Sequence, residues 1–219
     1  MKRIIAFESI TLVAIIIAYF TSKEKKKPLP IINPVDLNQE MVDPELLRKG
    51  YGHTIGDFSF TNQEGKTITQ KEIENKIFVV EYFFTTCATI CPKMNIQMQR
   101  LSQYYKNNDG IKILSFTVNP EVDTVEQMKR YADAHKSDPN QWHFLTGSKK
   151  DLYKLARTSF FVLKPAEAQN LGDAGNDFIH TNNFVLVDRK KRIRGYYDGT
   201  SIKEVTQLIS DIEQLLEER

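Results

Sequence analysis

The chain has 219 residues, a formal net charge of +2 and a hydrophobic share of 41%. Its length fits one globular domain with additional segments, and its apolar content is sufficient for a core. The small net charge gives no indication of a nucleic-acid partner, and two cysteines are too few for a disulfide-stabilised scaffold.

The first feature of the chain is an apolar run from Ile4 to Phe20, which follows Lys2 and Arg3. These 17 residues would span roughly 25 Å as a helix, slightly less than a hydrocarbon core of about 30 Å. A cleaved signal peptide is the alternative, but no small-residue cleavage pattern and no cysteine for lipidation follow the run. We predict that residues 1–22 form an uncleaved transmembrane anchor.

Lysines lie on both sides of the predicted anchor, so the positive-inside rule does not decide its orientation. The signal-like start favours export, and we predict a soluble domain on the periplasmic (extracytoplasmic) side. Residues 23–54 are charged and contain four prolines. This composition predicts a linker that lifts the domain off the membrane.

Residues 55–219 form the predicted domain, in which strand-like and helix-like patterns alternate. The strand patterns cover residues 58–61, 77–84, 111–118, 143–145, 184–187 and 193–197, and the last two form a hairpin. The helix patterns cover residues 92–105 and 124–135 and two segments that begin at 148 and 201. The long irregular segment 158–182 is typical of a functional loop. This order predicts an α/β sandwich with a mixed central sheet.

Cys87 and Cys91, the only cysteines of the chain, lie between the second predicted strand and the helix that follows it. Pro92 fits the first helical position, which predicts Cys91 at the N-cap. The positive end of the helix dipole would then favour the thiolate form of both cysteines. Buried, inert cysteines are the alternative, but α/β sheets place their sites at such strand-to-helix turns.

The cysteine segment Phe84-Thr85-Thr86-Cys87-Ala88-Thr89-Ile90-Cys91-Pro92 resembles the CxxxCP signature of the SCO/SenC family. Further segments resemble that family in the same order, namely residues 117–124, 142–147, 179–188 and 195–200. The resemblance covers about residues 56–215 and implies a thioredoxin-like SCO domain. It also implies a copper chaperone that assembles the copper site of cytochrome c oxidase.

By this resemblance, Cys87, Cys91 and His180 would bind copper. Two soft thiolates suit Cu(I), and the added imidazole allows Cu(II), although zinc would accept the same ligands with a water molecule. The aspartate that usually precedes the family's histidine is replaced by Ile179. The implied partners are a copper-site subunit of cytochrome c oxidase and a thiol reductant that keeps the cysteines reduced.

A thiol-disulfide oxidoreductase is the main alternative, with Cys87 as the attacking thiol and Cys91 as the resolving thiol. Thioredoxin-like enzymes place a cis-proline just before the strand 184–187, whereas this chain has no proline after Pro165. His180 lies near that place, which favours metal binding over general dithiol exchange. A peroxide-reducing enzyme fits less well, and a redox-sensing role stays open. The other histidines are predicted to be structural or solvent-facing: His53, His135 and His143.

Overall fold

The computed structural model describes residues 27–39, 42–162 and 182–218. Within these ranges, no helix combines the length and the apolar character that crossing a membrane requires. The predicted anchor, residues 1–22, lies outside the described residues, as does His180.

A seven-stranded mixed sheet forms the centre of the domain, in the order β2-β1-β5-β4-β3-β6-β7. Its strands are β1 (Ser59–Asn62), β2 (Thr67–Thr69), β3 (Ile77–Phe83), β4 (Ile111–Thr117), β5 (Trp142–Thr146), β6 (Asn183–Val187) and β7 (Ile193–Asp198). The helices are α1 (Pro44–Lys49), α2 (Cys91–Tyr104), α3 (Val125–Ala134), α4 (Lys149–Thr158) and α5 (Ile202–Glu217). The predicted mixed α/β fold is therefore confirmed.

The interior strand β3 is buried over all its residues because it has a neighbour on each side and helices on both faces. It pairs in parallel with β4 and antiparallel with β6. Its residues Ile77 and Val79 pack in one core cluster with residues of α2, α3 and α5. Phe78 and Val80 belong to the second cluster, which includes residues of α4. The sheet thus separates two hydrophobic cores, as in a sandwich of layers.

One strand was not predicted. The sequence patterns give no strand between residues 61 and 77, whereas the structure forms β2 there and then a short 3-10 helix, Gln70–Ile73. β2 pairs antiparallel with β1 at the edge of the sheet. A strand of three residues is too short for an alternating pattern to be recognised in a sequence.

The predicted linker, residues 23–54, contacts the domain at several points after residue 27. Val42 is 1% exposed and belongs to a core cluster, and the backbone N–H of Ile32 donates to the carbonyl oxygen of Ile193 at 2.9 Å. These contacts were not predicted from the charged, proline-rich composition. The domain boundaries at residues 22 and 54 stay predictions.

Candidate metal centre

The cysteine segment connects the end of β3 to the start of α2. The backbone N–H of Cys87 closes a turn on the carbonyl oxygen of Phe84 at 3.2 Å. The carbonyl oxygen of Ile90 accepts from the backbone N–H groups of Lys93 and Met94, at 3.0 and 3.1 Å. Ile90 is therefore the N-cap and Cys91 is the first helical residue, which corrects the predicted N-cap by one position. Pro92 still lies in the first turn, where a helix needs no N–H partner.

Cys87 is the more accessible and more acidic of the two thiols. Partial burial alone would raise its pKa, but hydrogen bonds from the thiol and backbone N–H of Cys91 and from Thr89 lower the pKa to about 7. The hydroxyl oxygen of Thr89 lies 3.6 Å from the Cys87 sulfur. A pKa near neutrality leaves about half of the Cys87 thiols as thiolate at pH 7, the form that binds metals and attacks disulfides.

Cys91 behaves in the opposite way, which corrects the prediction that the helix dipole favours both thiolates. Its side chain is 6% exposed and packs in the core cluster that contains Phe83 and Met94. Burial raises the pKa of Cys91, and the adjacent Cys87 sulfur and the Glu81 carboxyl raise it further. Desolvation by the surrounding apolar side chains therefore outweighs the dipole at this position.

Asp123 holds the segment that leads to Cys87. Its carboxylate is fully buried and accepts hydrogen bonds from the backbone N–H of Thr85, at 3.2 and 3.3 Å, and from the hydroxyls of Thr85 and Thr117. Gln127 of α3 also donates to the Thr85 hydroxyl at 3.0 Å. Asp123 lies in the segment 117–124 that resembles the SCO/SenC family, but no local pattern in the sequence marks it as a site residue.

A second buried carboxyl group, Glu81, lies in β3 before the cysteine segment. Burial raises its pKa to about 7, although the Ser115 hydroxyl donates to it at 2.6 Å. The indole N–H of Trp142 donates in turn to the Ser115 hydroxyl at 2.8 Å. This carboxyl is one cause of the raised pKa of Cys91. The signal available in the sequence was a lone acidic residue inside an otherwise apolar strand.

The described residues contain no group of three or more His, Cys, Asp or Glu side chains that could hold a metal ion. The two cysteines are brought together, while the third predicted ligand, His180, lies outside the described ranges. The next described residue after His180 is Asn182, which lies directly before β6. Val185 of β6 pairs with Val80 of β3. Because the two strands are antiparallel, β6 begins at the end of the sheet where β3 ends.

The remaining histidines agree with their predicted structural roles. His53 Nε2 lies 2.9 Å from the Ser159 carbonyl oxygen, and His135 Nδ1 accepts from Gln99 at 2.9 Å. His143 is 5% exposed, and burial lowers its pKa to about 4, so its imidazole is neutral at pH 7.

A comparison with protein families gives a match over residues 48–217 to the model described as SCO1/SenC. The chain belongs to the SCO1/SenC family. A curated relative of this Sco chain is the SCO1 protein homolog of Bacillus subtilis, which is 30% identical over 176 residues, or 80% of this chain and 86% of the relative.

Solved Sco structures share the fold. BsSco is a member of the Sco family of cytochrome c oxidase assembly proteins, and a disulfide switch was identified in it. It is 28% identical to this chain with a TM-score of 0.63, and the match covers 76% of this chain and 95% of BsSco. A SCO1/SenC family lipoprotein from Bacillus anthracis is 29% identical with a TM-score of 0.65, covering 77% and 98%. ScoI of Bradyrhizobium japonicum, solved with copper bound, is 23% identical with a TM-score of 0.58, covering 75% and 99%, and this likeness shows the shared fold alone.

Proposed function

We propose that this protein is a membrane-tethered copper metallochaperone. It binds copper through Cys87, Cys91 and His180 and delivers the ion to the copper site of a cytochrome c oxidase subunit. The observation that carries the proposal is the paired cysteines on the turn between β3 and α2, in a chain of the SCO1/SenC family. The related BsSco belongs to cytochrome c oxidase assembly proteins, and a protein of the same fold holds copper.

The chemistry of the two sulfurs supports copper as the cargo. Thiolates are the ligands that Cu(I) prefers, and imidazole together with thiolate also suits Cu(II). Cys87 is close to half ionised at neutral pH. Cys91 holds its proton, so metal binding would release a proton from this residue and its affinity would rise with pH. The exchange of ligands with a target site is easiest at a sulfur that solvent and partner reach, which is Cys87.

The strand topology supports His180 as the third ligand. Only one residue, Thr181, separates it from Asn182, whose carbonyl oxygen accepts from the Gly199 N–H at 2.6 Å directly before β6. The beginning of β6 and the cysteine segment belong to the same end of the sheet. This common end of the sheet is the observation that supports His180 as the third ligand in the proposal.

A tether by the apolar run 4–20 would keep the domain on the periplasmic (extracytoplasmic) side. The similar Bacillus anthracis protein is a lipoprotein, which supports a membrane tether for this domain as well. An extracytoplasmic compartment oxidises thiols, so the pair needs a thiol reductant before each round of metal binding.

Copper content of the purified full-length chain tests the proposal. With its thiols reduced, the chain should bind one equivalent of Cu(I), and Cys87→Ser and Cys91→Ser should each weaken binding at least tenfold because a soft ligand is lost. Met98→Leu, a volume-conserving change in the same core cluster, serves as the matched control and should bind normally. Failure of the reduced wild-type chain to bind copper contradicts the proposal.

The unequal thiols also favour a second function, thiol-disulfide exchange with the target. The Cys87 thiolate would attack a disulfide of the partner and form a mixed disulfide while one partner thiolate leaves. Cys91, after losing its proton, would attack the Cys87 sulfur and release the second partner thiolate. Two electrons then pass to the partner, and a thiol reductant regenerates the Cys87–Cys91 pair. Rapid turnover with a disulfide substrate that survives His180→Ala would make this function the main one.

A further inference from the structure

The two ends of the sheet differ in what they carry. The cysteine segment follows the last residue of β3, whereas the turn between β6 and β7, residues 188–192, lies beside its start, because Phe78 pairs with Val187. β3 has seven residues. At about 3.3 Å per residue, the two ends are separated by roughly 20 Å.

The segment that follows the predicted anchor is fixed at the end opposite to the cysteines. Arg194 of β7 is 3% exposed and donates to the carbonyl oxygens of Leu29 and Pro30, each at 2.9 Å. Gln214 of α5 donates to the carbonyl oxygen of Lys27 at 2.7 Å. The chain is therefore bound to β7 and α5 from the first described residue onward.

Arg194 is itself held rigidly. It forms ion pairs of 2.9 Å with Asp188 and Glu218, and Asp188 also pairs with Arg192 at 2.7 Å. A buried guanidinium is tolerated only when its donors are satisfied, and here carboxylates and backbone carbonyls accept from it. We call Arg194, Asp188 and Glu218 the Arg194 clamp.

The sequence between the predicted anchor and the Arg194 clamp is short. Only residues 23–26 separate the predicted end of the anchor at residue 22 from Lys27. Fully extended, the five steps from residue 22 to Lys27 span at most about 18 Å. The clamped end of the domain must then lie within that distance of the lipid surface, whereas the cysteines lie roughly 20 Å away from that end along β3.

The charge of the clamped end fits such a surface. The turn carries four consecutive cations, residues 189–192. Two of them are paired with carboxylates, Lys191 with Asp57 at 3.4 Å and Arg192 with Asp188 at 2.7 Å, while Lys190 and Lys27 are exposed. Basic clusters next to a membrane anchor are attracted to anionic headgroups. We infer that turn 188–192 and Lys27 dock on an anionic lipid surface, so that the cysteine pair faces away from the membrane at a fixed height. This inference rests on the tether in the proposed function.

Headgroup quenching of two labelled positions tests the orientation. The full-length chain with both natural cysteines changed to serine receives a fluorophore at Lys190→Cys or at Thr86→Cys, an exposed position in the cysteine segment. Vesicles of phosphatidylethanolamine and phosphatidylglycerol carry a nitroxide on the headgroup. We expect several-fold stronger quenching at position 190 than at position 86.

The outcomes separate the two proposals. A chain that does not float with the vesicles contradicts the tether, and the orientation falls with it. A chain that floats but is quenched equally at both positions, or more strongly at position 86, contradicts the orientation alone. A smaller difference is expected in phosphatidylcholine vesicles, where the tether acts without lipid charge, and an unchanged difference there overturns the role of the basic turn.

Arg194→Met tests the clamp in the same assay. It should reduce the quenching difference between the two labels. The control Arg100→Met removes an exposed arginine that donates to Ile202 and Thr206 and lies outside the clamp and the basic turn, so it should preserve the difference. If Arg194→Met does not fold, insertion of about twelve Gly and Ser residues after Lys26, measured in high salt, frees the domain by a second route. A difference that survives this insertion overturns the role of the short tether.

Discussion

The two ends of the central sheet each use a buried charged side chain to fix a segment of chain, but with different results. At one end, Arg194 binds two carboxylates and two backbone carbonyls, and so fixes the segment at Leu29 and Pro30 to the domain. At the other end, Asp123 fixes the backbone at Thr85 and leaves the Cys87 sulfur partly accessible. The comparison shows how one fold combines a rigid attachment with a reactive thiol. At the cysteine end, the hydrogen-bond network fixes Thr85, two residues before Cys87, and does not include the sulfur.

Arg194→Met should have the largest effect on stability, and it should leave the cysteine end of the sheet unaffected. The change leaves Glu218 and two backbone carbonyls without their donor, so we expect a loss of about 3 kcal/mol in the free energy of unfolding. The pKa of Cys87 should not change. Urea denaturation and thiol alkylation measure the two quantities. Arg192→Met is the control, since its side chain is 29% exposed and its removal should cost much less. A changed Cys87 pKa in Arg194→Met would contradict the independence of the two ends.

Glu81→Gln should alter the pH dependence of stability through the cysteine end. The carboxyl has a pKa of 4.5 when unfolded and about 7 when folded, so the folded state binds more protons between these values. The wild type therefore loses stability as pH rises through this window, by up to about 3 kcal/mol near pH 8. Glutamine does not titrate and keeps an oxygen for Ser115.

The stability of Glu81→Gln relative to the wild type should consequently rise from pH 5 to about pH 8. Denaturation curves at both pH values measure this change. Ser115→Ala provides a comparison that removes the hydrogen bond but keeps the titrating carboxyl. Parallel pH dependence in the wild type and Glu81→Gln would show that Glu81 is ionised throughout and would refute this account.

Asp123→Asn should have a smaller effect on stability but a clear one on reactivity. The amide replaces one oxygen that accepts hydrogen bonds, and the unpaired donor should cost about 2 kcal/mol. A looser segment at Thr85 weakens the hydrogen bonds that reach the Cys87 sulfur. We expect the pKa of Cys87 to move from about 7 toward its ordinary 9.0, as measured by the pH dependence of iodoacetamide alkylation. Asp133→Asn, a change at an exposed position within α3, is the control.

Thr89→Val should produce the smallest change. It removes the hydroxyl 3.6 Å from the Cys87 sulfur and keeps the backbone N–H that also lowers the pKa. We expect a rise of a few tenths in the Cys87 pKa, in the same alkylation assay, without loss of stability. A rise as large as that in Asp123→Asn would mean that the Thr89 hydroxyl, rather than the fixed segment, controls the thiol.

The elements of the fold were largely predictable because their signals are local. The apolar runs predicted β3 and β4. Thr124 and Ser201 indicated the starts of α3 and α5, and in the structure both side chains accept a hydrogen bond from the backbone of their helix. β2 was missed because three residues carry no periodicity. Family resemblance, together with spacing, indicated the cysteine pair.

The networks that define the two ends were not predictable because their partners are far apart in sequence. Asp123 contacts Thr85 across 38 residues, and Arg194 contacts Pro30 across 164. The pKa of Cys91 was predicted in the wrong direction for the same reason: its burial depends on side chains from several elements. The helix dipole, which can be inferred from a sequence, lowers the pKa of Cys91 less than burial raises it.

The most direct test of the copper proposal is the absorption spectrum of the full-length chain loaded with Cu(II), with and without His180. The proposal predicts a thiolate-to-copper charge-transfer band in the wild type, and its loss or large shift together with at least tenfold weaker Cu(II) binding in His180→Ala. Cu(I) binding, which the two thiolates support, should be reduced less. His135→Ala, a histidine hydrogen-bonded to Gln99 on the flank of the domain, should leave the spectrum unchanged. An identical Cu(II) spectrum and affinity in the wild type and His180→Ala would contradict the three-ligand site.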